Sequence, residues 1–431
     1  MSLAQEPVRL EPLRLDLVRL DLMSLREALR CALLSPGLLA EAKRCRARIE
    51  LRAAEAEPLT LWAGADDGPL IALCAPENLW CEVFSALPAP GRQSLGALRR
   101  QCPEFEVKGS AIAIAQALPF IERLLSALRD ALKPLSAPRP ADHSALAHIS
   151  GRYLQLATAS ADWVYAEQAG PEEAPPLLML HTAGADSRQW HGLMGLLRGS
   201  WRLQTFDLPG HGRSPLPDGL ASQDWRLTEA AYIVWVLGFM DAAGLDRVVL
   251  MGCSMGSAIG LALLAKHPDR FVGALLLEAP YCSPGRRSPY LDHPEVHGAR
   301  LAAAWVGSLL SPSSPQAGRD QATWIYSQAA PGVYDGDLAF YSDDFDAAQH
   351  LPQIDAARTP LWLLTGDYDY SATPSDSQRV AAEVAGAQFA PLPGFGHFPM
   401  VENPVGLMPH LAQPLRELAA KFKPTSLETA P

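Results

Sequence analysis

Apolar and polar positions follow two different rhythms along this chain. From Tyr153 onward, short apolar runs alternate with stretches of helical spacing. Residues 153–158 and 162–167 read as early strands, followed by 177–180 and 203–206. Residues 227–243 carry apolar positions at helical spacing, and 247–251 read as a strand. Met255–Lys266 reads as a helix closed by His267-Pro268, and 274–277 and 361–364 as further strands. Short apolar runs alternating with amphipathic or buried helices predict an α/β sheet. The first part of the chain is patterned otherwise. Residues 25–43 have helical spacing, and 58–63 and Leu70–Cys74 read as strands around the turn Ala65-Asp66-Asp67-Gly68. Phe105-Glu106-Val107 alternates, then Gly109 turns into a helix over Ala111–Leu132. That order predicts a smaller α+β domain.

Proline and small residues cluster in KPLSAPRPADHSALAH, residues 133–148. Such a composition stiffens a connection and offers little to a core. The expected organisation is therefore a domain over residues 1–135, a linker over 136–148 and a larger domain over 149–423. A second irregular region, with SPGRRSPY, SPSSP and PGVYDGD, forms an insert at about 281–350 between two expected strands, and the tail after Lys423 reads as frayed.

Composition narrows the function classes. The chain has 431 residues, 48% of them hydrophobic, enough for more than one core. A net charge of −11 without a basic block disfavours a nucleic-acid partner. The seven cysteines show no C-x-x-C pair and read as reduced residues of a cytoplasmic protein, not a disulfide frame or zinc site. The opening EPVRLEPLRLDLVRLDL breaks its leucines with Arg, Asp and Glu, so no signal peptide is expected. No unbroken apolar run reaches the length of a membrane span, and none is expected. No sequence feature marks a metal site or a nucleotide loop, so no cofactor is expected.

One short stretch carries chemistry. Gly252-Cys253-Ser254-Met255-Gly256 fits G-x-S-x-G between an expected strand and an expected helix. In so tight a turn the serine backbone is strained, and a side chain on either glycine would collide with a neighbouring element. The turn would hold the Ser254 hydroxyl proud of the sheet at a helix N-terminus. A serine hydroxyl is a weak nucleophile and needs a base oriented by an acid. Downstream, LWLLTGDYDYSATP places a strand, a turn at Gly366, then Asp367 and Asp369. PLPGFGHFPMVENP places His397 between Gly396 and Phe398. All three candidates fall at or just after strand ends, where the sites of such sheets gather.

These segments together resemble the α/β-hydrolase superfamily over about residues 151–423. The resemblance implies an α/β-hydrolase sheet with a helical cap insert, preceded by the smaller α+β domain. The family's acid sits in a G-x-x-D turn, which matches Gly366–Asp369 and selects Asp369; Asp367 is then a turn or capping residue. His397 in GHFPMVENP is similar to the family's base. FDLPGHGRSP resembles the D-x-P-G-H-G-x-S loop, in which His211 is structural. LLMLHTAGADSRQW occupies the place of the H-G-x-G loop that supplies an oxyanion N–H; Thr182 stands where glycine is usual. Aligning His181 puts Ala183 at the donor position, and the Met255 amide would be the second donor. Ser257 is a further departure, standing where a glycine often follows the turn.

The resemblance implies a serine hydrolase cleaving a carboxylic ester of a small or medium hydrophobic substrate through an acyl-enzyme. Carbon–carbon or thioester hydrolysis on the same Ser254–Asp369–His397 triad is the alternative, because fold and triad do not settle the bond. A non-catalytic lipid-binding protein on the same scaffold is a third reading. The insert resembles a cap over the pocket and holds Trp305, Trp324, Tyr326, Tyr334, Phe340, Tyr341 and Phe345, with Arg286, Arg287 and Asp343-Asp344 as polar neighbours. CPEFEVKGSAIAIAQALPFIERLLSALRDAL resembles the C-terminal half of sterol-carrier-protein-type-2-like domains. That implies a lipid-binding-like module, which would either hold a hydrophobic substrate or serve only assembly and stability. The sequence leaves the oligomeric state open, a homo-oligomer included.

Overall fold

The computed structural model describes Ala32 and residues 36–53, 59–62, 68–85, 87–132, 143–158, 162–217 and 225–422, with the backbone alone for 59–62. The start of the helix expected over 25–43, the turn at Ala65-Asp66-Asp67, linker residues 133–142 and the tail from Lys423 lie outside the described residues. Two compact units emerge. One takes the chain up to Pro138 together with Tyr290–Ser313; the other takes Arg139–Pro289 and Ser314–Pro431.

In the first unit, α1 (Pro36–Ala42) leads to β1 (Arg48–Arg52), β2 (Leu59–Trp62) and β3 (Leu70–Cys74). α2 (Glu77–Val83), α3 (Leu95–Gln101), β4 (Glu106–Lys108) and α4 (Ala111–Leu132) follow. The sheet order is β2-β1-β3-β4, with β1 and β3 parallel and the outer pairs antiparallel. β1 reads RIELR: Ile49 and Leu51 are buried and the charged residues between them are not, as period-two alternation requires. β1 was not anticipated, because its charges mask a strand of two apolar residues. α4 buries Phe120, Ile121, Leu124, Leu125 and Leu128. It is long and apolar enough to cross a membrane by length and composition, yet half of the relevant window is buried. Its packing partners, α1 and a helix from the later segment, give it the surroundings of a core helix. Its Glu122 accepts the Leu95 and Gly96 N–H groups at the start of α3 (3.3 and 3.2 Å). Burial pushes that carboxyl up to about 7.

The second unit begins with the hairpin β5 (Ser150–Gln155) and β6 (Trp163–Ala169), then β7 (Pro176–Leu180), α5 (His191–Leu197) and β8 (Arg202–Phe206). α6 (Glu229–Ala242), β9 (Val248–Cys253), α7 (Met255–Lys266) and β10 (Phe271–Leu277) continue it. The insert contains α8 (Gly298–Leu309), which belongs to the first unit, and α9 (Gln316–Tyr326) and α10 (Val333–Ala339), which belong to the second. β11 (Leu361–Gly366), α11 (Pro374–Glu383), β12 (Gln388–Leu392), α12 (Pro399–Glu402) and α13 (Pro404–Ala420) complete the chain.

Eight strands form one sheet in the order β12-β11-β10-β9-β7-β8-β6-β5. β5, β6 and β8 pair antiparallel in turn; all other neighbours are parallel. Every residue of β9, β10 and β11 is buried, which is why these strands read as unbroken apolar runs. Because they are parallel, their carboxyl ends meet on one edge of the sheet: Leu180 is opposite Gly252, Cys253 opposite Leu277 and Leu277 opposite Leu364. From β7 the chain goes outward to β8, then returns to the other side of β7 as β9. That reversal opens a crevice at the ends of β7 and β9, where ligands of open α/β sheets bind.

Candidate active site

Ser254 occupies the turn between β9 and α7. Its backbone has φ 54° and ψ −114°, a region that non-glycine residues occupy only under constraint. Ser254 N–H donates to the Leu277 carbonyl (3.0 Å), and its carbonyl accepts from the Ser257 and Ala258 amides (2.9 Å each). The flanking glycines are required by close approach. A Cβ on Gly252 would lie 2.4 Å from the Gly256 carbonyl oxygen, and one on Gly256 would lie 2.4 Å from that of Leu180. α7 therefore starts directly against the end of β7. Ser257, the departure from glycine, has a use: its hydroxyl donates to the Leu277 carbonyl (2.7 Å).

His397 and Asp369 meet across the ends of β12 and β11. The His397 Nδ1–H donates to Asp369 Oδ2 at 2.5 Å, which leaves Nε2 as the acceptor nitrogen. The other Asp369 oxygen accepts the Ser371 and Ala372 amides (2.6 and 3.2 Å), so the carboxylate has little rotational freedom. Asp367 is half-buried, and its Oδ1 accepts the Gly394 amide (2.9 Å), a turn-closing role. The Cys253 thiol donates to the His397 carbonyl (3.4 Å), tying the histidine loop to the residue before Ser254. The Phe398 ring stands edge-on to the imidazole at 4.7 Å. Ser254, Asp369 and His397 are all buried, at 5%, 1% and 3% exposure.

The loop after β7 carries Ala183. The neighbouring amides are engaged: Thr182 donates to Gln189 Oε1 (3.1 Å) and Gly184 to Asp337 Oδ2 (2.7 Å). No acceptor takes the Ala183 or the Met255 N–H among the described residues. The Thr182 hydroxyl, standing where glycine was expected, also bonds Gln189 and contacts the Tyr326 hydroxyl of α9.

This arrangement matches a known fold family. The alpha/beta hydrolase fold is found over residues 175–404, more than half of the chain. The chain belongs to the alpha/beta hydrolase family. A carboxylesterase of Bacillus subtilis is 23% identical to the hydrolase over 244 residues, 54% of this chain and 77% of the relative. A pimeloyl-[acyl-carrier protein] methyl ester esterase of Neisseria meningitidis is 24% identical over 249 residues, 54% of this chain and 90% of the relative. Among solved structures, the enol-lactonase of Burkholderia xenovorans superposes with a TM-score of 0.53 at 22% identity, covering 62% of this chain and all of that one. At that identity the structural likeness is one of fold.

Three buried carboxyl groups of the hydrolase escaped the sequence reading, and each holds a loop of the site. Glu278, at φ 49° just past β10, accepts the Gly366 amide on both oxygens (3.0 and 3.1 Å). Burial, then the Asp369 charge, push its carboxyl well above the usual carboxylate range. Glu402 accepts the Gly396 and Phe398 amides (3.2 and 2.9 Å), one on each side of His397. Asp337 of α10 accepts from Gly184 and from His211 Nε2, Tyr232 and Trp225 (2.6, 2.5 and 3.3 Å). His211 donates its other ring N–H to the Pro209 carbonyl (3.0 Å). Burial disfavours its imidazolium, but the Asp337 charge and hydrogen bond outweigh burial and raise it. His211 thus ties the loop after β8 to α10 through its buried hydrogen bond to Asp337. His181, in contrast, accepts the Leu208 amide at Nε2 (3.0 Å), and burial and the His211 charge bring it down to about 4. The only sequence signal for Glu278 was an acid immediately after an apolar strand; Glu402 and Asp337 had none.

Glu278, Asp369 and His397 offer ligand-type atoms within 4.8 Å of one another. The Asp369 oxygens, His397 Nδ1 and the Glu278 oxygens already have hydrogen-bond partners, so this donor set does not fit a metal centre.

Proposed function

We propose that the hydrolase cleaves a carboxylic ester of a small or medium hydrophobic substrate through an acyl-enzyme. The observation that carries this reading is the 2.5 Å bond from His397 Nδ1 to an Asp369 carboxylate fixed by two amides, on the same sheet edge as the strained Ser254 turn. His397 Nε2 takes the Ser254 proton as Oγ attacks the ester carbonyl. The Ala183 and Met255 amides receive the oxyanion, commonly the largest electrostatic contribution to such a step. His397 returns the proton to the leaving alcohol, and the Ser254 ester remains. Water, deprotonated by His397, then releases the acid and restores Ser254. The names of the Bacillus and Neisseria relatives, both esterases, support an ester as the bond.

The test is hydrolysis of p-nitrophenyl esters from acetyl to palmitoyl, with Ser254→Ala as control. Serine-dependent turnover supports the esterase, and the optimal chain length measures the acyl pocket. Labelling of Ser254 by a fluorophosphonate without turnover of any ester would instead favour the carbon–carbon or thioester reading. For the first unit, resemblance to sterol-carrier-like domains supports holding of an apolar ligand. Burial of Trp80, Phe84, Leu118 and Ile121 in its core supports the assembly or stabilising role. Displaceable binding of a fluorescent fatty acid to the intact chain, insensitive to a fluorophosphonate on Ser254, distinguishes the two.

A further inference from the structure

Beside Ser254 lies a set of buried polar groups that ester cleavage alone does not use. The segment after α10 is a π-helix over Phe340–Asp344 that carries Tyr341, and such widened turns recur at functional sites. The Tyr341 side chain, 3% exposed, lies beside those of Ser254 and Ser283. Its hydroxyl makes no properly aligned hydrogen bond among the described residues, and neither does the Ser283 hydroxyl, 1% exposed. Arg286 Nε is a third buried donor without a partner. Arg286 is anchored on both sides: its backbone N–H donates to Ser342 Oγ (3.1 Å), and its side chain donates to the Ser371 carbonyl in the acid loop.

Charge distinguishes Arg286 from its neighbour. Arg287 is paired with Asp335 and Asp343 (2.9 and 3.4 Å). No carboxylate lies within ion-pair distance of Arg286 among the described residues. Its positive charge bears instead on Tyr334 and Tyr341. Burial pushes the Tyr341 phenol up to about 12, and Arg286 opposes that rise. Buried polar groups of native proteins are otherwise paired, so three buried donors without an aligned partner on the Ser283–Arg286 and Tyr341 segments mark a place for a ligand. A guanidinium only donates, and the two hydroxyls, which face each other without an aligned hydrogen bond, can turn to donate. Their complement is an acceptor with negative charge, for which a carboxylate has both the oxygens and the geometry.

We propose that the ester cleaved at Ser254 carries a free carboxylate bound by Arg286, Ser283 and Tyr341. The substrate class is then the monoester of a dicarboxylic acid, with the second acid group as the anchor. This rests on the esterase reading above. The carboxylate is held unchanged while the ester C–O bond breaks.

The experiment compares two p-nitrophenyl esters of equal acyl length, hydrogen glutarate and pentanoate, in wild type, Arg286→Met and Arg286→Lys. The expected result is a kcat/KM ratio favouring the anionic ester by about tenfold or more. In Arg286→Met that ratio collapses toward one, and Arg286→Lys recovers part of it. A structural role for Arg286 lowers both esters together and leaves the ratio alone. A ratio near one in wild type, or the same ratio in Arg286→Met, overturns the proposal. If neither ester shows Ser254-dependent turnover, the esterase reading fails and the subsite is judged by binding. Glutarate protection of Ser254 from a fluorophosphonate, lost in Arg286→Met, upholds the anchor; absence of protection overturns it.

Discussion

Ser254 holds a backbone conformation that costs on the order of 1–3 kcal/mol at a non-glycine residue. The surrounding bonds sustain it: its own amide is fixed to Leu277, and Gly252 and Gly256 admit the close packing of α7 on β7. The hydroxyl is dispensable for this geometry, so Ser254→Ala should fold normally. Turnover in Ser254→Ala, and in His397→Ala, should fall by about a million-fold, to background, because the members of a triad act as a unit. Circular dichroism together with p-nitrophenyl ester assays checks both halves of that statement. The two aspartates separate more finely. Asp369→Asn removes the carboxylate that orients His397 and should lower kcat by about ten-thousand-fold. Asp367→Asn loses only the bond to the Gly394 amide and should keep kcat within a few-fold. The reverse ranking would reassign the acid. Sequence was informative here because Ser254, Asp369 and His397 each sit in a local turn with glycine beside it or close by. Glu278 is hard to read because its partner, Gly366, is brought to it by the fold; Glu402 lies in the same GHFPMVENP segment as Gly396 and Phe398, but nothing in that segment marks it as the acceptor of their amides.

At the scale of elements, continuous apolar runs located β7, β9, β10 and β11, and helical spacing located α6 and α7, with shifts of a few residues at some ends. β12 escaped because its residues 388–391 are exposed or half-buried at the sheet edge, so QFAPL gives no period. The contact between elements that matters most for the elbow is Gly256 on β7. Gly256→Ala would place a methyl against the Leu180 carbonyl, and overpacking of that kind costs about 1–3 kcal/mol. A lower melting temperature together with reduced ester turnover is expected. The link between α10 and the β8 loop gives a second, pH-dependent expectation. Burial alone would raise the Asp337 carboxyl, but the His211 charge and the bonds it accepts lower it on balance. Its contribution is therefore present above the unfolded aspartate value, about pH 4, and lost as pH falls through its folded value. His211 is raised, so its contribution is full below about pH 6.5 and lost as pH rises through its folded value. Both are complete only between those limits. Asp337→Asn should cost about 3–5 kcal/mol there, since it leaves a buried cation unpaired. Melting curves of the two proteins across pH should diverge most in that window; a deficit independent of pH would show that the pair is not ionised.

At the scale of the whole molecule, the linker composition predicts two domains with the insert as a cap on the second. The structure divides that segment: Tyr290–Ser313 clusters with the N-terminal unit. The reason lies in α8, whose Leu301, Ala302 and Val306 are buried and which packs against α4 and α3. Arg300 of α8 also pairs with Glu41 of α1, and Gln116 of α4 donates to the Glu295 carbonyl (2.8 Å). Proximity in sequence suggested a cap; the complementary apolar face lay far away in the chain and could not be read from periodicity. The first unit is therefore discontinuous, and neither half of the sequence contains it whole. A chain beginning at Arg139 keeps Ser254, Asp369 and His397 but strips α8 of its partners, exposing side chains whose burial contributes about 1.5–3 kcal/mol each. Such a fragment should bind ANS and aggregate where the intact protein does not. Replacing Leu301 and Val306 with glutamine in the fragment should restore its solubility, and in the intact chain the same changes should lower stability. A fragment as soluble as the full chain, with no ANS signal, would mean that α8 is not held by the packing described.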